Sequence, residues 1–341
     1  MHPYEVVPTI AEIGEAAWNE LVGDGGFYSS YRWIHAHESM PGLKSAYIVV
    51  RSGSRLQAAV QVSYAKHDIS DAYAQGRFRE TFDETARFAL LGTRRGYRNS
   101  LLVADWTPPE ERGPLIAELV RTAGEVAAGW NANALVAPYL PPDAVARLVA
   151  AHVVKRVEQA GSEGVLTLTG QAFDDYLAPF SSHRKVSIRH ERAHPRQMGL
   201  RFRVEEVGPG CAEQLAGLVA QVEAKYGRPA TANGLRRYLT DTFEGDPAHA
   251  RLFTCRDGDG RLVSAMLGYV WGSELYARAT ATDYTALPSG SFAYFNVVYY
   301  EPIEYCLSHG LSTLYFGVGT MGAKTARGSR ELPLHHVLLS G

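Results

Sequence analysis

Apolar and polar positions along this chain follow two rhythms, helical and alternating, and they succeed one another in the same order twice. Ile10 to Leu21 repeats apolar residues at helical spacing, with Trp18 and Leu21 on one face. A second, short helix is expected over Tyr31–Glu38. The rhythm then changes to period two. Ser45–Arg51 and Leu56–Ala65, joined at Ser52-Gly53-Ser54, predict a hairpin. Ser100–Ala104 reads as a further strand. Pro108-Pro109-Glu110-Glu111 opens a helix with acids at its positive end. That helix runs to Ala128 and stops at Gly129. Asn133–Ala137 is a buried strand, and Pro141-Pro142-Asp143 starts another helix.

The second half repeats the plan. Helices are expected over Cys211–Tyr226 and Leu235–Phe243, then a hairpin of Arg251–Arg256 and Leu262–Val270 turning through Asp257–Gly260. A strand Glu274–Thr282 follows. The loop Leu287-Pro288-Ser289-Gly290-Ser291 leads into a long helix, Phe292–Ser308, and Leu311–Phe316 is a buried strand. Each half reads helix, helix, hairpin, strand, helix, strand, with an extra segment around His67–Arg98 in the first. The fold class is therefore α/β (α+β), with two domains of one plan, each a central mixed sheet flanked by helices. Gly161–Gly170, with strand-like Val165–Thr169 inside it, marks the joint, giving domains 1–165 and 166–341. The length of 341 residues agrees, at about 150 residues per domain.

Composition narrows the class. With 46% hydrophobic and 21% charged residues the chain has material for real cores, which excludes disordered and collagen-like chains. Lys+Arg 34 against Asp+Glu 36 gives a net charge of −2, a poor electrostatic footprint for DNA, so no DNA partner is expected. Cys211, Cys255 and Cys306 form no CxxC pair and read as buried thiols in a reducing compartment. The first residues lack a basic segment followed by an apolar one, and no apolar run approaches the ~18 residues of a membrane span. A cytoplasmic protein is expected.

Several motifs invite chemistry. Gly317-Val318-Gly319-Thr320-Met321-Gly322 fits GxGxxG, but too little chain follows for a dinucleotide fold. It reads instead as a loop bringing Lys324 and Arg327 to one anionic group. Asp257-Gly258-Asp259-Gly260 is a hairpin turn rather than a calcium loop. No metal is expected from the histidines. His335 and His336 point to opposite faces of a strand, and His183, His190 and His194 lie among strong cations. The basic run Arg184–Arg201 reads either as a solvated helix face or as a ridge for the phosphates of CoA or a tRNA.

Certain residues resemble a known family. Tyr176-Leu177 followed by Arg184-Lys185-Val186-Ser187-Ile188-Arg189-His190-Glu191-Arg192 is similar to the start of the second domain of FemAB-like acyltransferases. In those proteins a Tyr-Leu pair precedes an Arg-rich helix. Tyr299-Tyr300-Glu301-Pro302-Ile303-Glu304-Tyr305 resembles their Y-Y-x-x-I-E-Y helix, and Lys324-Thr325-Ala326-Arg327-Gly328 their K-x-x-R-G segment. Family members often carry His-Phe-Glu where this chain has Tyr294-Phe295-Asn296, and Gly-Glu-His where it has Met321-Gly322-Ala323. The resemblance implies two tandem GNAT-like domains, with the active site in the second.

It also implies amide-forming acyl transfer. Glu274–Thr282 would splay from Leu311–Phe316 and offer a backbone N–H to the oxyanion. Asp283, Glu301 or Tyr226 would take the amine's proton. Arg278 would face substrate or pair with Asp283. Lys324, Arg327, Tyr299 and Asn296 are expected substrate contacts, and Ser289-Gly290-Ser291 the seat of a CoA pyrophosphate. No tightly bound cofactor is expected. Donors compatible with the family are acyl-CoA, acyl-carrier protein and aminoacyl-tRNA, with a small-molecule or cell-wall amine as acceptor. The rival reading is a catalytically degenerate tandem GNAT protein that only binds.

Overall fold

A computed structural model describes residues 4–23, 26–38, 42–65, 73–228, 230–287 and 290–340. The chain divides into two units, Met1–Glu163 with Leu332–Gly341, and Gly164–Glu331. Sequence alone assigns all of 166–341 to the second domain. Residues 332–341 instead belong to the first, because the last strand adds to the first unit's sheet.

The first unit opens with β1 (Tyr4–Val7), α1 (Ile10–Ile13), α2 (Glu15–Val22) and α3 (Tyr31–Glu38). The hairpin β2 (Leu43–Ser52) and β3 (Arg55–Ala65) follows, its two-residue turn made possible by Gly53 at φ 62. Next come α4 (Gln75–Thr81), β4 (Phe88–Leu91), β5 (Leu102–Val103), α5 (Pro109–Gly129), β6 (Ala134–Leu140) and α6 (Pro142–Ala150). β7 (Val154–Thr167) carries the chain into the second unit. The strand expected at 100–104 is the short β5, which pairs with β3, while β4, inside the extra segment, pairs with β3 and, in parallel, with β6. The sheet runs β1-β2-β3-β4-β6, and the last strand of the chain pairs antiparallel with β6. Helix α5 seals one face with Leu115, Ile116, Leu119, Val120, Ala123 and Ala127, all buried and at i, i+3/i+4 spacing.

The second unit contains α7 (Phe173–Leu177), α8 (Ser182–Gln197), β8 (Arg201–Glu206), α9 (Cys211–Lys225), α10 (Ala232–Leu239), β9 (Ala250–Arg256), β10 (Leu262–Trp271) and β11 (Glu274–Thr282). Then follow α11 (Ala293–Phe295), a π-helical turn (Asn296–Tyr300), α12 (Glu301–Ser308), β12 (Thr313–Val318) and α13 (Met321–Thr325), before β13 (Arg330–Leu339) returns to the first unit. The sheet order is β12-β11-β10-β9-β8. Within this run β11 and β12 are parallel, and the pairs β11–β10, β10–β9 and β9–β8 are antiparallel. The β9–β10 turn is closed by the Asp257 carboxylate, which accepts the N–H groups of Asp259 (3.1 Å) and Arg261 (2.9 Å), as a turn and not a calcium loop. The expected helix 292–308 is interrupted by the π-turn, and the cause is Pro302. Its missing N–H breaks the ladder one turn upstream, where the π-turn takes up the mismatch. This helix packs Val297, Tyr300, Ile303 and Cys306 onto Leu275, Leu314 and Phe253 of the sheet.

Among the described residues no helix is long and apolar enough to cross a membrane.

Candidate functional site

A central strand is normally covered on both sides, and β11 is not. Its ladder with β12 lasts three residue pairs, from Glu274↔Thr313 to Tyr276↔Tyr315, and ends there. The next four residues, Ala277, Arg278, Ala279 and Thr280, are all partly exposed. A bulge sets the divergence. On β10, Leu267 pairs with Ala279 and Gly268 with Ala277, so Arg278 is the extra residue. Gly268 permits it, since a Cβ there would stand 3.0 Å from the Tyr276 carbonyl oxygen. The paired end is pinned instead. Tyr276 and Tyr315 stack at 4.8 Å, and both hydroxyls donate to the Glu274 carboxylate. The strands therefore part from a fixed point. The opening leaves backbone of β11 at the edge of a parallel pair, the arrangement that lets an N–H meet a developing oxyanion.

Aromatic rings crowd the helix beside this opening. Tyr299 lies 4.9 Å from the ring of Phe316 on β12 and 6.2 Å from Phe295. Burial raises the hydroxyls of Tyr294 and Tyr299 above the usual phenol value, with Tyr226 among the neighbours of both. Tyr226 itself remains 47% exposed at the end of α9. Lys225 sits 4.0 Å from the ring centroid of Tyr284. Tyr226, Tyr284 and Tyr294 thus gather near the loop that precedes α11.

The expected anion clamp takes a different form. Arg327 is 4% exposed and fully engaged: Nη2 donates to Glu191 Oε2 at 2.6 Å, Nε to the Tyr300 hydroxyl at 3.1 Å and Nη1 to the Ala323 carbonyl at 3.0 Å. Its guanidinium also lies 3.7 Å from the Phe295 ring centroid and 5.0 Å from that of Tyr299. Lys324 is 5% exposed and donates to the Gly317 carbonyl at 2.6 Å. Its aliphatic stem fills the space left by Gly164, where a Cβ would be 2.5 Å from Lys324 Cδ. Both cations face inward, because a five-residue helix, α13, turns them away from solvent. Both are held by contacts inside the second unit.

The basic helix α8 behaves in the same way. Arg184 pairs with Glu191 at 2.7 Å, Arg192 with Glu304 and Arg196 with Glu301. Arg196 also donates to Asn296 Oδ1 at 3.0 Å, and Asn296 Nδ2 donates to the Glu191 carbonyl at 2.8 Å. Asn296, expected as a substrate contact, is wholly buried and ties α8 to the π-turn. Sequence reading misses Glu191, although it is the lone acid in a run of arginines and histidines. Residues 190–194, His-Glu-Arg-Ala-His, also match the two-histidine zinc-helix pattern. The geometry does not support that use. Glu191 turns into the Arg184–Arg327–Tyr300 network, and among the described residues no three metal-binding side chains meet.

The candidate bases are constrained too. Asp283 is 3% exposed; its Oδ1 accepts from the Thr285 hydroxyl (2.6 Å) and from two backbone N–H groups, and Oδ2 pairs with Arg261 at 2.5 Å. Those bonds, the Thr285 hydroxyl foremost, hold its carboxyl below the usual range. A carboxylate so held shapes the turn after β11. It pairs with Arg261, not with Arg278. Glu301 is held by Arg196. In the expected pyrophosphate seat, Ser289 lies outside the described residues, Gly290 is exposed at φ 72, and the Ser291 hydroxyl, 3.5 Å from the Ala293 N–H, is buried. The helix beyond it starts from Phe292 at φ 55 and runs through the π-turn to Ser308 without leaving helical dihedrals. Burial pushes the Cys211 thiol up to about 11 and Cys255 up to about 12, which leaves neither a ready nucleophile.

Burial alone would raise the Glu191 carboxyl, but the Tyr300 hydroxyl and the two arginines outweigh it and hold it below its ordinary 4.5. A group depressed in the folded state stabilises the fold above its unfolded value and loses that contribution as pH falls through the folded one. The second unit should therefore lose melting temperature on acidification below about pH 4.5, with Glu205 and Asp283, also depressed, adding in the same sense. In Glu191→Gln, thermal melts across pH should show a shallower acid limb. An unchanged limb would remove Glu191 from this account.

A family model for FemAB-like proteins, described as peptidoglycan biosynthesis/recognition, matches residues 95–337. The chain belongs to the FemAB-like family. Its fold neighbours agree. FemX superposes with a TM-score of 0.65 at 13% identity, over 98% of this chain and 96% of that one. A tandem GNAT protein from the clavulanic acid biosynthesis pathway gives 0.55 at 14% identity over 99% of each chain. The C-terminal domain of a putative lysylphosphatidylglycerol synthetase from Agrobacterium fabrum gives 0.54 at 13%, over 83% of this chain and 81% of that domain. No curated protein sequence matches the chain. This FemAB-like protein is thus a tandem GNAT fold within the acyl- and aminoacyl-transferase group, and the opened β11–β12 pair is its candidate site.

Proposed function

We infer that this FemAB-like protein moves an acyl or aminoacyl group from an activated donor to an amine, in the opening between β11 and β12. The observation that carries the reading is the uncovered central strand: a parallel ladder of three pairs followed by four partly exposed residues on β11. A backbone N–H at that edge would stabilise the oxyanion of the tetrahedral intermediate. As the amine attacks, the carbonyl carbon gains the new C–N bond, the donor's ester or thioester bond breaks, and the amine proton passes to solvent or to a nearby base.

One feature favours an aminoacyl-tRNA donor over acyl-CoA: the surroundings of the loop before α11 are aromatic, with Tyr226, Tyr284 and Tyr294 near Lys225. Such rings suit a nucleobase or a planar acyl group better than a diphosphate. The acceptor would be an amine on a small molecule or cell-wall precursor. One observation supports the alternative of a binding protein without catalysis: both carboxylate candidates, Asp283 and Glu301, are held by arginines. Incubating the protein with radiolabelled aminoacyl-tRNA or acyl-CoA and a panel of amines tests both. Amide formation with charged tRNA supports the proposal, and amide formation with acyl-CoA alone reverses the donor assignment. Saturable donor binding without amide formation favours the binding protein.

A further inference from the structure

Charge along β8 changes sign at its middle. Arg201-Phe202-Arg203-Val204-Glu205-Glu206 is basic in its first half and acidic in its second. The strand ends the sheet of the second unit. It pairs antiparallel with β9 over its whole length, from Arg201↔Arg256 to Glu206↔Arg251, and among the described residues no other strand adds to it. An antiparallel ladder uses the N–H and C=O of alternate residues, so the residues between them present theirs at the open edge. Among the described residues, the backbone of 201–206 makes no main-chain hydrogen bond outside that ladder. Arg201, Arg203, Val204 and Glu206 are exposed, which leaves the edge open to solvent.

An open edge can take a further strand, and the charge pattern favours one occupant. A second copy meeting β8 antiparallel, about a two-fold axis normal to the sheet, keeps each side chain on its own face. One residue then lies on the axis and faces itself, and the others pair at equal distances from it. With Val204 on the axis, Arg203 of each copy stands opposite Glu205 of the other, and Phe202 opposite Glu206. Moving the axis one residue either way sets Arg203 against Arg203, or Glu205 against Glu205, and like charges directly opposite are destabilising. Glu205 is already held in place. Its Oε1 accepts from the Thr254 hydroxyl at 2.9 Å, and Arg256 reaches both carboxylate oxygens at 3.2 Å. A carboxylate has about four lone-pair sites, so one remains for a further donor. The Arg203 guanidinium is exposed and donates no hydrogen bond among the described residues. Edges that avoid self-pairing set a charge or a proline at the point of contact. Here that point is a valine, 41% exposed.

We propose that β8 docks a second copy of this chain, β8 against β8, extending the second unit's sheet across a two-fold axis at Val204. The contact is a short backbone ladder flanked by two Arg203–Glu205 pairs. It is smaller than the interfaces of stable complexes, so the dimer is weak and reversible. It uses no residue of the β11–β12 opening and does not rest on the acyl-transfer reading.

Sedimentation velocity of the full chain, from roughly 1 µM to 1 mM, tests it over the span of weak association. The expected result is a monomer at the low end and a growing species of twice its mass at the high end. Val204→Lys and Val204→Glu each set like charges on the axis and should weaken the dimer at least about fivefold. Mixing the two variants in equal amounts should restore it, because Lys then faces Glu. Arg203→Glu, which opposes two carboxylates, should weaken it as well. Position 204 is exposed, so thermal melts of its variants should match that of the unmutated protein. A monomer at every concentration, a dimer that both Val204 variants leave unchanged, or an equimolar mixture that stays monomeric would each overturn the proposal. So would a series of species larger than a dimer, which head-to-tail pairing would give.

Discussion

Arg327→Ala should destabilise the second unit by about 3–5 kcal/mol, the usual cost of breaking a buried ion pair from one side. The side chain is 4% exposed and donates to Glu191, Tyr300 and Ala323 while covering Phe295 and Tyr299. Its removal leaves the Glu191 carboxylate buried with Arg184 as its remaining cation and opens a void beside two rings. At about 2–4 °C per kcal/mol for a unit of this size, the melting transition should fall by roughly 6–20 °C. An exposed substrate clamp behaves in the opposite way, with little change in melting and a large loss of donor affinity. Calorimetry and donor titration on one variant separate the two. A melting temperature within a degree or two of the unmutated protein would end the brace assignment.

The second large effect concerns activity. Ala279 lies one residue past the bulge, on the uncovered stretch of β11, and is partly exposed. Ala279→Trp should fill the opening with an indole. Transfer should then fall by at least about 10²-fold, since displacing a reacting group by ~1 Å already costs that much. Folding should be nearly unaffected, because the new ring enters open space and does not overpack a core. The readout is single-turnover amide formation beside thermal melting. Retained activity with an intact fold would move the reaction away from β11.

Sequence carried the architecture further than the site. The duplicated order of elements was legible because amphipathic helices and alternating strands report their own periodicity, as in the Ala250–Trp271 hairpin and the apolar stripe of α5. The opening after Tyr276 was readable only through the family resemblance, since register is a property of two strands together. The domain assignment of residues 332–341 differs for the same reason. β13 pairs with β6, nearly two hundred residues upstream, and no local pattern announces so distant a partner. The side-chain roles were least legible. Lys324 and Arg327 have the spacing of an anion clamp, but whether a cation faces solvent depends on what packs over it, here Glu191 and the rings of the π-turn. Glu191 itself, hidden in a basic run, declares its role only when α8 meets that turn. Asp283 shows the same limit from the other side, because the Thr285 and Arg261 contacts that depress its acidity come from a turn and a neighbouring strand.

Hydrogen–deuterium exchange of the full chain, with and without saturating donor, addresses the account most directly. Donor seated in the opening should protect amides in peptides covering 277–282 of β11, with weaker protection over 294–299 and 316–318. Exchange in α8, tied to the Arg327 network through Glu191, should stay unchanged. Protection centred on α8 or on the 317–328 segment, with β11 exchanging as freely as before, would contradict it.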